Sequence, residues 1–189
     1  QKNIPTEAGL GGGSSNAGAI ISILSKKYNI SIPTFREVAL KVGSDVPFFV
    51  NGRPSIVTGI GDKVNPESID YELDMILAVP NEVVSTQESF AEFDNLEEVE
   101  RSVYNFKDIK IFNDFWKASS LIQPELIRKK EYLESVTNDM FFMSGSGSAL
   151  FCLGVEKDLV KKIDLIDKNE FRLVKLVKKL DFSLETISD

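Results

Sequence analysis

Apolar positions recur at helical spacing near the start of this chain, and that spacing predicts two helices. Over residues 15–28 the apolar side chains predict a helix directly after a glycine-rich stretch. Thr34 and Glu37 have the spacing of a capping box, which predicts a second helix from there through Val42. Gly43 is expected to end that helix.

The other segments before residue 80 have the features of turns and strands. Residues 1–5 predict the end of a strand, and "SDVPFFVNG" predicts a short turn leading into apolar residues. "SIVTGIGDKV" predicts two strands joined by a glycine turn, and "LDMILAVP" predicts a buried strand that Pro80 stops. The polar link "NPESIDYE" predicts a boundary near residue 66, with domains of residues 1–70 and 71–189.

In the rest of the chain, predicted helices alternate with short predicted strands. "DMFFMSGSGSALFCLGV" predicts two strands joined by a tight Gly/Ser turn, and residues 171–177 predict a further strand. Interleaved helices with antiparallel strand pairs predict an α+β fold. The predicted helices begin at Ser85, lie around 96–104 and 111–121, begin at Pro124, and lie near 157–166.

Composition narrows the chemistry that this chain can perform. It has 189 residues and a formal net charge of −7, without a basic block, which argues against nucleic acid as a partner. No apolar run approaches the roughly 20 residues that cross a membrane. The sequence contains no histidine, which excludes histidine-dependent triads, H-E-x-x-H zinc sites and an imidazole base. Cys152, the single cysteine, lies in "ALFCLG" and is predicted to be a buried core thiol.

The most informative stretch is "PTEAGLGGGSSNA", which runs into the first predicted helix. Glycine is costly in regular structure, so such a cluster indicates close approach of a ligand to the backbone. The unpaired amides and positive dipole of a helix amino terminus attract phosphate groups. A flexible loop with a serine cap is the alternative. The P-loop pattern is excluded because no lysine follows the glycines, and the dinucleotide fingerprint does not fit.

Three other stretches allow two interpretations each. Asp45, in "GSDVPFF", is either a helix cap or a carboxylate base. The turn in "MSGSGSALF" is either a plain hairpin or part of a ligand cleft. Asn113 and Asp114, in "FNDFW", are predicted to be an N-cap pair for the next helix rather than functional groups.

The order of the three motifs "PTEAGLGGGSSNA", "GSDVPFF" and "MSGSGSALF" resembles that of the GHMP kinase superfamily. The long glycine turn and "GSDVPFF" most resemble the branch that acts on 4-diphosphocytidyl-2-C-methyl-D-erythritol in the non-mevalonate isoprenoid pathway. The resemblance covers the chain to about residue 180. It implies a two-domain fold, with an incomplete ribosomal protein S5 domain 2-like part followed by a ferredoxin-like part.

The resemblance also implies a reaction, in which the 2-hydroxyl of that alcohol is phosphorylated by ATP with Mg²⁺. Asp45 would be the catalytic base, and Ser15, rather than Ser14, would contact the metal. Three residues of the Gly/Ser turn would line the cleft: Gly145, Ser146 and Gly147. The ATP-binding segment would comprise Pro5, Thr6, Glu7, Ala8, Gly9, Leu10, Gly11, Gly12, Gly13, Ser14 and Ser15.

Members of the superfamily begin with a further segment that holds a catalytic lysine and much of the cytidine-binding surface. Lys2 does not match that lysine, so the chain is expected to be a fragment, inactive alone. Two alternatives remain: another kinase of the superfamily, acting on mevalonate, phosphomevalonate or homoserine, or an inactive nucleotide-binding fragment. The expected partner is a small molecule, without nucleic acid or membrane, in the bacterial cytoplasm or a plastid-type organelle. The oligomeric state is left open.

Overall fold

The computed structural model of the chain describes residues 3–99 and 101–181, without the side chains of residues 32 and 33. These residues separate into two compact units. Residues 11–72 and 179–181 form the helical unit, and residues 3–10 and 73–178 form the sheet unit. The division into domains of residues 1–70 and 71–189 stays a prediction. Residues 182–189 of the second domain lie outside the described residues.

The helical unit contains helices α1, α2 and α3 and a hairpin of strands β1 and β2. The hairpin is antiparallel and pairs Thr58 with Lys63 across a glycine turn, which confirms the prediction from "SIVTGIGDKV". The bounds of these elements are Gly12–Tyr28, Ile32–Val42, Val46–Asn51, Ser55–Thr58 and Lys63–Pro66.

Helix α1 confirms the predicted helix and begins three residues earlier than expected, at Gly12. Its buried side carries Gly18 and Ser22, whereas Ile20 and Leu24 of the apolar stripe are exposed by 58% and 43%. The helical spacing therefore identified the element but not the side that packs. The packed side carries small residues because another helix approaches the α1 backbone closely there.

Two predictions about the neighbouring helices are wrong. Ser31, rather than Thr34, precedes α2, and the two hydroxyls share a hydrogen bond of 2.8 Å. Glu37 pairs with Lys41 at 2.7 Å, so there is no capping box. The segment predicted as a turn after residue 43 forms helix α3, whose six residues are too few to show a helical period.

The sheet unit is built on four antiparallel strands in the order β6-β7-β3-β8, which confirms the predicted α+β class. Strand β3 lies between its two partners, so that Ile76 is opposite Cys152 on one side and Leu176 on the other. The described residues 3–5 form no strand, contrary to the prediction for residues 1–5. The four strands cover Phe142–Met143, Leu150–Gly154, Asp74–Pro80 and Phe171–Lys178.

Helices and a small hairpin flank this sheet. Ser85 precedes α4 and accepts a hydrogen bond from the Glu88 amide at 3.3 Å, as the prediction of a helix from Ser85 requires. The helix predicted around 96–104 is wrong, and a hairpin of β4 and β5 begins there instead. These elements cover Thr86–Asn95, Tyr104–Phe106, Ile109–Ile111, Trp116–Ile122 (α5), Glu125–Thr137 (α6), Glu156–Ile163 (α7) and a 3₁₀ turn at Lys168–Glu170.

Two apolar clusters pack in the described part of the sheet unit, and the larger one includes Cys152, whose exposure is 0%. Burial raises the pKa of the Cys152 thiol to about 12, so the thiol stays protonated and unreactive. This confirms the predicted core thiol. Within the described part of the chain, no helix is both long and apolar enough to cross a bilayer.

Candidate functional site

The glycine-rich stretch enters helix α1 through Gly11, which has a left-handed backbone with a φ of +62°. No side chain of the described residues caps this helix, and its first turn contains no acidic residue. The first amides of a helix have no acceptor within the helix. The amino terminus of α1 therefore presents bare amides and the positive end of a 17-residue helix dipole.

The start of α1 is open at Gly13, and a hydrogen bond holds the Ser15 hydroxyl there. A Cβ atom built on Gly13 would meet no atom within 4 Å, so nothing in the described structure covers this backbone. The Ser15 hydroxyl donates to the Gly12 carbonyl at 3.1 Å, which leaves the lone pairs of its oxygen available. Ser15 can thus accept a hydrogen bond or contact a cation without giving up its own donation.

Helix α3 brings "GSDVPFF" against the glycine-rich stretch within the helical unit. A Cβ atom on Gly11 would come within 2.7 Å of the Phe49 ring, and one on Gly18 within 2.9 Å of the Phe49 carbonyl carbon. Both glycines are therefore required for α3 to lie this close to α1. Phe49 is the contact that sequence analysis missed, although the motif that contains it was identified.

Asp45 is the residue that immediately precedes α3, one helical turn before Phe49. Its backbone carbonyl accepts from the Phe49 amide at 3.4 Å, but its side chain makes no capping hydrogen bond within the described chain. The carboxylate is exposed. Its side chain is thus not used in the way the helix-cap interpretation requires, and it is free to meet a ligand.

The turn of the β1–β2 hairpin supports the segment before Asp45. Gly61 has a φ of +96°, and a Cβ atom there would overlap the carbonyl oxygen of Ser44. Only glycine allows the hairpin turn to pack against this carbonyl. The sequence predicts only a glycine turn here, whereas in the structure Gly61 packs against the Ser44 carbonyl.

The first part of the glycine-rich stretch, residues 5–10, lies in the sheet unit. Ala8 is 2% exposed and packs with Val79 and Ala149, and Leu10 packs beside them. The Thr6 carbonyl accepts from the Arg172 guanidinium at 3.1 Å. Pro5 is half-buried and Glu7 is exposed, with a φ of +52° at Glu7. These contacts fix the backbone of the segment by its core-facing residues.

Gly9 lies directly on the Gly/Ser turn between β6 and β7. A Cβ atom on Gly9 would overlap the Ser144 carbonyl oxygen, and the Ser144 hydroxyl donates to the Gly9 carbonyl at 2.8 Å. The Ala149 amide donates to the Ala8 carbonyl at 3.1 Å. Two of the three predicted motifs are therefore in backbone contact inside the sheet unit.

The Gly/Ser turn is itself anchored by hydroxyl groups on two helices. The Ser146 carbonyl accepts from Ser119 at 3.0 Å, and the Ser146 hydroxyl shares a hydrogen bond of 2.9 Å with Thr86. Gly145 and Gly147 have φ angles of +55° and +94°, which non-glycine residues rarely adopt. The turn has a fixed shape rather than that of a flexible hairpin.

The predicted N-cap pair, Asn113 and Asp114, has a different role in the structure. Phe115 is the residue that precedes α5, and the Asn113 side chain donates to the Met143 and Gly145 carbonyls. Asp114 forms a two-pronged ion pair with Arg101, at 2.6 and 2.7 Å, and this contact raises the pKa of the Arg101 guanidinium. The prediction of a capping pair is therefore wrong.

A metal site made by protein side chains alone is not found among the described residues, in which no group of three or more Cys, Asp or Glu side chains could hold an ion. Mg²⁺ in nucleotide sites keeps several waters and takes phosphate oxygens as ligands, so one serine hydroxyl with a bound nucleotide is a sufficient protein contribution. The lone pairs of Ser15 fit such a contribution.

Comparison with known proteins connects this geometry to an enzyme family. The sequence profile described as "GHMP kinases N terminal domain" matches residues 1–53. The 4-diphosphocytidyl-2-C-methyl-D-erythritol kinase of Fusobacterium nucleatum subsp. nucleatum is 36% identical over 175 residues, covering 82% of this chain and 58% of that protein. The kinase of the same name from Francisella philomiragia subsp. philomiragia is 36% identical over 188 residues, covering 96% of this chain and 66% of that protein.

A further relative and a solved structure agree with these matches. The Bacteroides fragilis kinase of that name is 32% identical over 173 residues, covering 86% of this chain and 63% of that protein. The chain thus spans less than two thirds of the length of these curated relatives. A crystal structure of 4-(cytidine 5'-diphospho)-2C-methyl-D-erythritol kinase shares the fold, with a TM-score of 0.74 and 22% identity, covering 94% of this chain and 68% of that one.

Proposed function

Because this chain belongs to the GHMP kinase superfamily, we propose that the protein containing it transfers the γ-phosphoryl group of ATP to an alcohol. The proposed acceptor is the 2-hydroxyl of 4-diphosphocytidyl-2-C-methyl-D-erythritol, the compound for which the relatives are named. The proposed partner is this small molecule, without nucleic acid or a membrane, in the bacterial cytoplasm or a plastid-type organelle.

One observation carries this proposal: Phe49 lies against Gly11, and Asp45 precedes the same helix. Two sequence motifs that are far apart in the chain are thereby joined within the helical unit. The first has the bare amides that polyphosphate requires, and the second has an exposed carboxylate. Phosphoryl transfer depends mainly on positioning and charge stabilisation, so this pairing is the one that a kinase needs.

In the proposed reaction, the backbone of residues 5–15 holds the triphosphate of ATP. Amides at the start of α1 donate to phosphate oxygens, and the hydroxyl of Ser14 adds a donor. Asp45 accepts the proton of the substrate hydroxyl as its oxygen attacks the γ-phosphorus and the bond to the β-phosphate oxygen breaks. Ser15 would contact Mg²⁺, whose positive charge lowers the repulsion among the phosphate oxygens when it is bound.

Phosphate binding at the start of α1 is tested by placing a charge on the exposed backbone at Gly13, in the protein at its full encoded length. Asp at a first-turn position suits a helix dipole, so Gly13→Asp is expected to leave the free energy of unfolding unchanged or slightly increased. The same carboxylate repels phosphate and is expected to raise the KM for ATP roughly tenfold. Gly13→Asn, of equal size without charge, is the control. An unchanged KM in Gly13→Asp would overturn the phosphate assignment.

The role of Asp45 is tested separately from binding. Asp45→Asn removes the proton acceptor and is expected to lower kcat by about 10²- to 10⁴-fold while the KM for ATP changes little. Glu37→Gln, which alters another exposed carboxylate of the helical unit, is the matched control and should retain kcat. Equal kcat values for Asp45→Asn and the parent would exclude Asp45 as the base.

The acceptor is tested by offering the full-length protein four alcohols in turn with ATP. We expect phosphorylation of 4-diphosphocytidyl-2-C-methyl-D-erythritol with a higher kcat/KM than mevalonate, phosphomevalonate or homoserine. Mass spectrometry of the product, with the position of the new phosphate assigned by NMR, provides the readout. Preference for another alcohol would move the protein within the superfamily, and ATP binding without transfer would favour a nucleotide-binding module.

A further inference from the structure

The Asn113 side chain uses all of its hydrogen-bonding groups on backbone atoms. Its amide nitrogen donates to the Met143 carbonyl at 2.7 Å and to the Gly145 carbonyl at 2.8 Å. Its amide oxygen accepts from the Phe115 amide at 2.8 Å. One side chain thus joins the loop before α5 to both sides of Ser144 in the Gly/Ser turn.

The chemistry of these three partners allows only one side chain of this size. Two carbonyls require a donor with two hydrogens, and the Phe115 amide requires an acceptor. Aspartate supplies the acceptor but cannot donate, and its charge would face two carbonyl oxygens. A helix cap, by contrast, needs only the acceptor, and aspartate serves there as well as asparagine.

The turn that Asn113 holds is also the surface on which the glycine-rich segment rests. Ser144, which lies between the two bound carbonyls, donates its hydroxyl to the Gly9 carbonyl at 2.8 Å. Gly145 also lies beside Gly9, since a Cβ atom on Gly145 would be 3.2 Å from the same Gly9 carbonyl oxygen. A shift of the turn therefore moves Gly9 with it.

We propose that Asn113 is a positioning residue, which fixes the Gly/Ser turn and through it the backbone at Gly9. This inference rests on the proposed function, in which residues 5–15 hold the triphosphate. The group that Asn113 positions is the peptide backbone of the turn, and Asn113 itself does not contact a substrate.

Hydrogen exchange of the full-length protein tests, without reference to catalysis, whether Asn113 holds the Gly/Ser turn in place. Asn113→Ala and Asn113→Asp are both expected to increase exchange at the Gly147 and Ala149 amides, which donate to Ser144 and Ala8. Asp114→Asn, which weakens the neighbouring ion pair with Arg101, is the control and should leave both amides protected. Parent-like protection in Asn113→Asp would mean that the two amide donations do not hold the turn, and it would overturn the proposal.

ATP affinity, measured well below the midpoint of thermal unfolding, tests the consequence for the site. Loss of two hydrogen bonds in Asn113→Ala and Asn113→Asp is expected to raise the KM for ATP about tenfold, with a smaller change in kcat. A parent-like KM in both variants would overturn the link from the turn to Gly9. If the parent itself neither binds nor uses ATP, the proposed function fails, and the exchange data still decide whether Asn113 holds the turn.

Discussion

Single residues decide whether the glycine-rich segment can lie on the sheet unit, and Gly9 is the clearest case. It combines a φ of +66° with a position where a Cβ atom would overlap the Ser144 carbonyl oxygen. Neither constraint is visible in the letters "AGLGGG", in which every glycine looks alike. Gly13, a few residues later, has neither constraint.

We therefore expect Gly9→Ala to lower the free energy of unfolding by about 2–4 kcal/mol, since backbone strain and a steric overlap add. Gly13→Ala is the matched control and should change the free energy by less than about 1 kcal/mol, because alanine is favoured in helices. Urea unfolding measures both. Equal effects of the two substitutions would contradict the close approach of Gly9 to Ser144.

Cys152 gives a prediction for alkaline pH. Its pKa is raised from an ordinary value of 9.0 to about 12 by burial, so the folded state holds the thiol proton more tightly than the unfolded state. The associated stability is present below pH 9 and is lost as the pH rises from 9 to about 12. In that range the parent should lose stability more steeply than Cys152→Ala, by up to about 1.4 kcal/mol per pH unit. If the unfolding free energies of the parent and Cys152→Ala changed in parallel between pH 9 and about 12, the assigned burial of the thiol would be contradicted.

Among the helices and strands, the sequence predicted the ones that have a clear periodicity of apolar residues or a clear capping or turn signal at one end. The hairpin β1–β2, the central strand β3 and helix α4 all agree with the elements predicted from the sequence. Helix α3 was missed because its six residues are too few to show a period. The hairpin β4–β5 was not predicted, although Tyr104 and Phe106 alternate as strand residues do, and the helix predicted just before it, around 96–104, is wrong.

The cap of α4 at Ser85 allows a test of how much one helix terminus contributes to stability. Ser85→Ala removes the acceptor of the Glu88 amide and is expected to lower the free energy of unfolding by about 1 kcal/mol. Ser85→Asp keeps an acceptor at the same place and should restore most of that loss. The two variants can be compared by thermal unfolding followed by circular dichroism. Equal losses would show that the hydroxyl does not act as a cap.

For the whole molecule, the sequence identified the α+β class and the three motifs, because each motif is local. It did not predict that Phe49 rests against Gly11, or that Asn113 holds the Gly/Ser turn. Both contacts join residues far apart in the chain, and no local period or propensity encodes them. Their residues are visible inside identified motifs, but their partners are decided by how helices and strands pack.

The burial of the central strand β3 allows a test of the core that stabilises the sheet unit. Ile76 is fully buried between two partner strands, and Ile76→Ala is expected to lower the free energy of unfolding by about 2–5 kcal/mol. Val160→Ala, on an exposed face of α7, is the control and should be nearly neutral. Trp116, the single tryptophan, packs against the same core and reports unfolding by its fluorescence. Similar losses in both variants would contradict the assigned core.

The chain leaves the sheet unit after residue 10 and returns to it at residue 73, which has a consequence for dissecting the gene. No single cut yields this unit intact, since a polypeptide that starts at Leu73 lacks the Ala8 methyl group that fills the space beside Val79 and Ala149. An autonomous version has to splice residues 3–10 onto Leu73 through a linker. Residues 11–72 interrupt the sheet unit in the sequence, although they form the main part of the helical unit.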